Sequence, residues 1–123
     1  MRRGLRLRRQ GLLQDLLRRD GLTFERLDIC DRPALERLWR AHGPFEAVIN
    51  LAARAGVRQS VEDPWVYVDT NITGTLNLLE SCRAEGVGKF VLASTSSLYG
   101  ATSVQPFSED QDTSRPLSPY AAS

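Results

Sequence analysis

The sequence predicts an α/β fold built on a doubly wound parallel sheet, and three observations carry that prediction. Segments of strand character alternate with segments of helical periodicity. The run from Phe45 to Leu51 is apolar apart from Glu46 and Asn50, and it reads as a strand covered on both faces of a parallel sheet. The helical stretch between that run and the next, Lys89 to Ala93, has the length of a crossover between parallel strands. Ligands of such sheets bind outside the carboxyl ends of the strands. That rule singles out Asp28-Ile29, residues 51–58 and residues 94–97.

The elements follow in order. The start is Arg-rich, but leucines at 5, 12, 13, 16 and 17 form the apolar stripe of an amphipathic helix reaching Arg19. The arginines then occupy its wet face, a better reading than a targeting arm or a nucleic-acid patch. Asp20-Gly21 breaks the pattern, and residues 22–27 alternate apolar with polar as a short strand does, ending in Asp28-Ile29-Cys30-Asp31. Asp31 or Arg32 opens a helix with Pro33 in its first turn, where a missing N–H costs nothing; Leu35, Leu38 and Trp39 supply its buried side, and Gly43-Pro44 stops it. Beyond the strand from Phe45 to Leu51, a long helix begins near Asp63-Pro64, runs to about Arg83 and ends at Gly86 and Gly88. A third strand, Lys89 to Ala93, leads into Ser94-Thr95-Ser96-Ser97. Residues 101–117 form a loop long enough to be functional by itself, and Ser118-Pro119-Tyr120 reads as the cap and first turn of another helix. No repeat or linker divides the chain, so residues 1–123 form one domain.

Composition narrows the classes. Sixteen basic and fifteen acidic residues nearly cancel, which argues against a nucleic-acid partner and against disorder. Cys30 and Cys82 lack CxxC spacing and neighbouring histidines, so neither a disulfide scaffold nor a metal site is expected, and a reducing, cytoplasmic setting fits. The apolar runs are too short to span a bilayer, so no membrane partner is expected.

Few side chains stand out chemically. Asn71 falls on a helical row with Val68, Thr75, Leu78 and Cys82, which puts a carboxamide in a packed stripe where it needs hydrogen-bond partners. It ties helix to strand, positions a site, or does both. Gly74, one turn on, weakens a helix unless a backbone must approach closely, here the sheet. Hydroxyl runs such as 94–97 usually solvate turns, but this one directly follows a buried strand, where hydroxyls can orient a sugar oxygen or a carbonyl. Tyr120 at a helix start is more often packing than chemistry, because a phenol with an ordinary pKa of about 10 needs a nearby cation to act as a base. His42, next to Gly43-Pro44, has no triad or ligand set around it and receives no role.

In combination, five motifs resemble the extended short-chain dehydrogenase/reductases of the NAD-dependent epimerase/dehydratase type, and among them the UDP-glucuronate epimerases. They are Asp28-Ile29 with Asp31; Val48-Ile49-Asn50-Leu51-Ala52-Ala53 with Ala55-Gly56-Val57-Arg58; Asn71-Ile72-Thr73-Gly74-Thr75; the stretch from Phe90 to Gly100; and Ser118-Pro119-Tyr120-Ala121-Ala122-Ser123. Each is weak singly, whereas their order and spacing are specific. The resemblance implies a partial Rossmann-like, doubly wound parallel sheet. It implies NAD as cofactor, with Asp28 and Ile29 at the adenine, Leu51, Ala52 and Ala53 lining the dinucleotide groove, and Asn71 supporting that site. Thr95 and Tyr120 would be catalytic, with Ser96, Ser97 and Arg58 on the nucleotide-sugar substrate.

The chemistry so implied is removal of the sugar 4-hydroxyl proton by the tyrosine while hydride leaves C4 for the nicotinamide. The 4-keto intermediate is then reduced on its opposite face. A nucleotide-sugar 4,6-dehydratase would eliminate water instead and needs further acid and base groups; the 94–97 run has no adjacent Asp-Glu pair, which favours the epimerase. Complete relatives are expected to form homodimers through the helix containing Asn71 and the one starting at Tyr120. In the family pattern a first strand with a GxxGxxG loop precedes the position of Met1, the lysine of YxxxK falls one place after Ser123, and a C-terminal substrate domain follows. The chain by itself is therefore expected to be an inactive fragment with exposed apolar surface and a tendency to self-associate, and the competing expectation is a non-enzymatic fold remnant.

Overall fold

The computed structural model describes residues 15, 18, 20–101 and 104–123. The helix expected over residues 5–19 lies largely outside the described residues.

Arg32–His42 forms a helix, α1. Asp31 caps it: its carboxylate accepts the Ala34 N–H at 3.0 Å, satisfying one of the donors that a helix start leaves free. Gly43 closes the other end by donating its N–H to the Trp39 carbonyl at 2.8 Å. Leu35 and Trp39 are buried and Leu38 half-buried, on the side read from the sequence. His42, given no role, sits 3.3 Å from Glu25 at the surface.

Among the described residues two strands make the sheet: Val48–Asn50 (β1) and Phe90–Leu92 (β2), parallel, with Val48 opposite Phe90 and Asn50 opposite Leu92. Both are shorter than the apolar runs that contain them. The expected strand over 22–27 does not join them, because among the described residues it has no neighbouring strand with which to exchange hydrogen bonds. Leu27 and Ile29 nevertheless pack against the core.

The crossover from β1 to β2 begins with a short helix, Val57–Glu62 (α2), which the sequence reading does not single out. One long helical path follows, formed by Trp65–Tyr67 (α3), a π-helical segment Val68–Gly74 and Thr75–Glu85 (α4). The widened turn of the π segment corrects the expected row of inward residues. Asn71, Gly74, Leu78 and Cys82 are buried, whereas Val68 is turned outward. Gly86, at φ 72°, ends the path in the left-handed conformation that a residue with a Cβ resists, and Val87 donates back to the Cys82 carbonyl at 2.9 Å.

The core lies between α1, α4 and one face of the sheet. Leu35, Trp39, Leu78 and Cys82 meet Val48 and Phe90, and the Phe45 ring stands edge-on to Trp39 at 4.8 Å. Each large side chain buried there contributes about 1.5–3 kcal/mol. The opposite face departs from the double coverage expected of β1: Ile49 and Val91, side by side in the register, are 65% and 54% exposed. The described helices cover the other face. Among the described residues no helix is long and apolar enough to cross a membrane.

Gly74 permits a close approach, but to a loop rather than to the sheet. A Cβ there would lie 2.6 Å from both Cγ1 and Cδ1 of Ile29. Alanine gains about 1 kcal/mol of helix propensity over glycine, and overpacking costs about 1–3 kcal/mol. Gly74→Ala is therefore expected to lower stability in urea unfolding by up to about 2 kcal/mol; a stabilised variant would show that Ile29 moves aside without cost.

Candidate active site

The site is assembled from the carboxyl ends of β1 and β2, the π-helical segment, and a short helix, Pro119–Ala122 (α5). β1 ends in Asn50, which is buried and turns the chain. Its Oδ1 accepts the Ala52 N–H at 3.0 Å, and its Nδ2 donates to Thr75 Oγ1 at 3.2 Å. Leu51, Ala52 and Ala53 are left exposed at the strand end.

Asn71 then fixes the next residue. Its Oδ1 accepts the Arg54 N–H at 2.8 Å, and its Nδ2 donates to the Arg54 carbonyl at 3.1 Å and to Ser123 Oγ at 2.9 Å. The buried carboxamide so satisfies its polar atoms and ties three segments together, the structural half of the two roles open in the sequence.

Beyond β2, Thr95 is extended, and its Oγ1 accepts the Ser97 N–H at 3.2 Å and caps a 3₁₀ turn, Ser96–Tyr99. With a lone pair engaged by the backbone, this hydroxyl retains a proton to donate. Ser118 caps α5 in the same manner, accepting the Ala121 N–H at 3.1 Å, and Pro119 occupies the first helical position, where its missing N–H is harmless. Tyr120 follows, half-buried.

These segments enclose a cleft of about 200 Å³. It brings together Leu51, Ala52, Ala53, Asn71, Thr95 and Tyr120 from the sequence-derived set, with Thr75, Ser94 and Ser123 beside them. Among the described residues no Asp or Glu side chain lines it. Ser96 and Ser97 lie in the turn that Thr95 caps, and Arg58 is exposed on α2; none of the three lines the cleft. A larger groove of about 350 Å³ between α1 and α4 contains none of the candidate residues and carries solvated ion pairs, Arg32 with Glu36 and Arg83 with Glu80.

Asp28 and Ile29 lie outside the cleft, on the loop before α1, anchored to the same long helical path. Asn77 Nδ2 donates to the Ile29 carbonyl at 3.0 Å, and the Ile29 side chain packs over Gly74. The Cys30 N–H bonds to the exposed Asp28 carboxylate at 2.9 Å and holds it below the usual carboxylate range, with a smaller contribution from the Arg54 charge. Cys30, on the other side of that turn, is half-buried, its thiol donating to the Asp69 carbonyl at 3.2 Å; burial raises its pKa. The sequence reading assigns no role to Asn50, Tyr67 or Asn77. Asn50 and Asn77 carry the signal already noticed at Asn71, a carboxamide set into an otherwise packed element.

The sequence profile of the family described as GDP-mannose 4,6 dehydratase matches residues 6–123. The UDP-glucuronate 4-epimerase of Thermodesulfobacterium geofontis is 54% identical over 110 residues, covering 89% of this chain and 33% of that protein. The Thermus thermophilus UDP-glucose 4-epimerase, solved as a complex with NAD, aligns with a TM-score of 0.74 at 42% identity over 85% of this chain and 33% of its own. A Streptomyces venezuelae dTDP-glucose 4,6-dehydratase with NAD bound aligns at 0.80 and 31% identity over 92% of this chain and 34% of its own. The chain thus spans about a third of the length of these relatives. Its parallel strands and helical crossover match part of their Rossmann-like fold, and the resemblance read from its motifs holds. With the profile covering nearly every residue from the N-terminal leucines to the helix of Tyr120, the chain belongs to the GDP-mannose 4,6 dehydratase family of nucleotide-sugar epimerases and dehydratases.

Proposed function

We propose that this chain supplies the hydroxyl pair and part of the dinucleotide groove of an NAD-dependent UDP-glucuronate 4-epimerase. The observation that supports this reading above others is the meeting of Thr95 and Tyr120, from separate elements, in one cleft with Leu51, Ala52 and Ala53. Two of those three groove residues are alanines, all three are exposed at a strand's carboxyl end, and such a surface suits close backbone approach by a dinucleotide. When bound, NAD supplies the acceptor and later donor of the sugar's C4 hydride. Thr95 donates its hydroxyl proton toward the sugar oxygen and orients it, and the Tyr120 phenol exchanges a proton with the 4-hydroxyl. Asn71 acts through Arg54 and Ser123, holding the groove and α5 in register. Asp28 and Ile29 serve the adenine end, and Arg58, Ser96 and Ser97 serve the sugar nucleotide.

A 4,6-dehydratase is the second reading, supported by the alignment with the Streptomyces enzyme. Elimination of water calls for acid and base groups beyond the tyrosine, and the described lining of the cleft contains no carboxylate. The epimerase reading is favoured for that reason.

We further assign the protein to the cytoplasm, consistent with the free thiols of Cys30 and Cys82, and assign it a second copy of itself as partner. Trp65, Val68, Ile72, Leu76 and Leu79, spaced three or four residues apart along the long helical path, are all exposed and offer an apolar row for pairing.

The functional test grafts this chain between the flanking segments of the Thermodesulfobacterium relative. With NAD, the chimaera is expected to convert UDP-glucuronate to its 4-epimer, and Thr95→Val and Tyr120→Phe are each expected to slow it by about 100-fold or more. Loss of water from UDP-glucose would favour the dehydratase, and undiminished rates in both variants would remove the two residues from the chemistry. In sedimentation of the same chimaera, Leu76→Glu is expected to turn a dimer into a monomer; an unaltered dimer places the interface elsewhere.

A further inference from the structure

We infer that Tyr67 is a positioning residue for Tyr120, holding the ring of the proposed base at the cleft. The inference rests on the reading of Tyr120 as that base and adds a residue which neither the motifs nor the cleft lining singled out. Tyr67 is 3% exposed, although it carries a hydroxyl and lies within three residues of the solvent-facing Trp65 and Val68. Two observations explain its burial. Its Oη lies 3.2 Å from the Ala55 carbonyl and 3.0 Å from the Gly56 carbonyl, so the hydroxyl proton is shared between two acceptors on the loop after β1. Its ring meets the Tyr120 ring edge-on, with centroids 6.0 Å apart and planes at 63°, an arrangement that aromatic quadrupoles favour.

The consequence is geometric. A phenol at the first turn of a four-residue helix has little structure of its own to fix its ring. Asn71 restrains the end of that helix through Ser123, whose Oγ also donates to the Tyr120 carbonyl at 3.2 Å. These bonds fix the backbone, whereas χ1 and χ2 of Tyr120 remain to be set, and the edge-on Tyr67 ring is a contact that restrains them. Tyr67 and Asn71 are four residues apart on the same helical path, so one element clamps both the ring and the backbone of the base.

The test is tyrosine ring NMR on the full chain, whose three tyrosines are assigned by single replacement with phenylalanine. Cross-relaxation between the Tyr67 and Tyr120 rings is expected in the wild type. Tyr67→Leu is expected to move the Tyr120 ring signals toward those of a free tyrosine, and Tyr67→Phe, which keeps the ring, to restore them. Unchanged Tyr120 signals in a folded Tyr67→Leu chain would overturn the inference. If Tyr67→Leu does not fold, Tyr67→Phe decides: retained Tyr120 signals support the contact, and free-tyrosine signals refute it. Full epimerase turnover by a Tyr120→Phe chimaera would instead defeat the base assignment while leaving the ring contact intact, so the two failures are distinguishable.

Discussion

The carboxamide of Asn71 is the interaction on which the rest of the site depends. It is buried, it bonds to both backbone groups of Arg54, and its remaining N–H reaches Ser123. Each such buried group left without its partner costs about 1–3 kcal/mol, so the helix, the loop after β1 and α5 are fixed relative to one another as a set. The cleft between them follows from that arrangement, because its walls are the segments Asn71 joins.

Its neighbours extend the same logic. Gly74 and Asn77 hold the Asp28-Ile29 loop, one by leaving room for the Ile29 side chain and the other by bonding its carbonyl. Thr75 receives the Asn50 amide, and Tyr67 reaches the loop at Ala55 and Gly56. The candidate cofactor loops therefore hang on successive turns of one helical path, whose π segment brings Asn71 and Gly74 inward together while turning Val68 out. Widened turns of this kind recur at functional sites, where they aim side chains that a regular helix would misplace.

The helices at residues 32–42 and 65–85 were legible because caps, early prolines and apolar periodicity agree there. The strands were legible in kind, though not in length, since the ladder between β1 and β2 stops after three pairs. Residues 22–27 carry strand alternation, but a strand exists only with a partner, and alternation says nothing about whether one is present. The π segment was invisible, since the row through Val68, Asn71 and Thr75 reads equally well as a regular helix. The meeting of Thr95, Tyr120 and Ala52 could be anticipated only through family motifs, because it depends on contacts between distant segments that local patterns do not encode. Tyr67 was missed for the same reason: its partners lie 11, 12 and 53 positions away.

Hydrogen exchange at the Arg54 amide tests the central claim most directly. That N–H belongs to a loop residue with an exposed side chain, and its bond to Asn71 is what shields it from solvent. Protection comparable to the β1 amides in the wild type, lost in Asn71→Leu while β1 stays protected, is the result predicted by a carboxamide that organises the site. Rapid exchange in the wild type, or protection that survives the substitution, would contradict it.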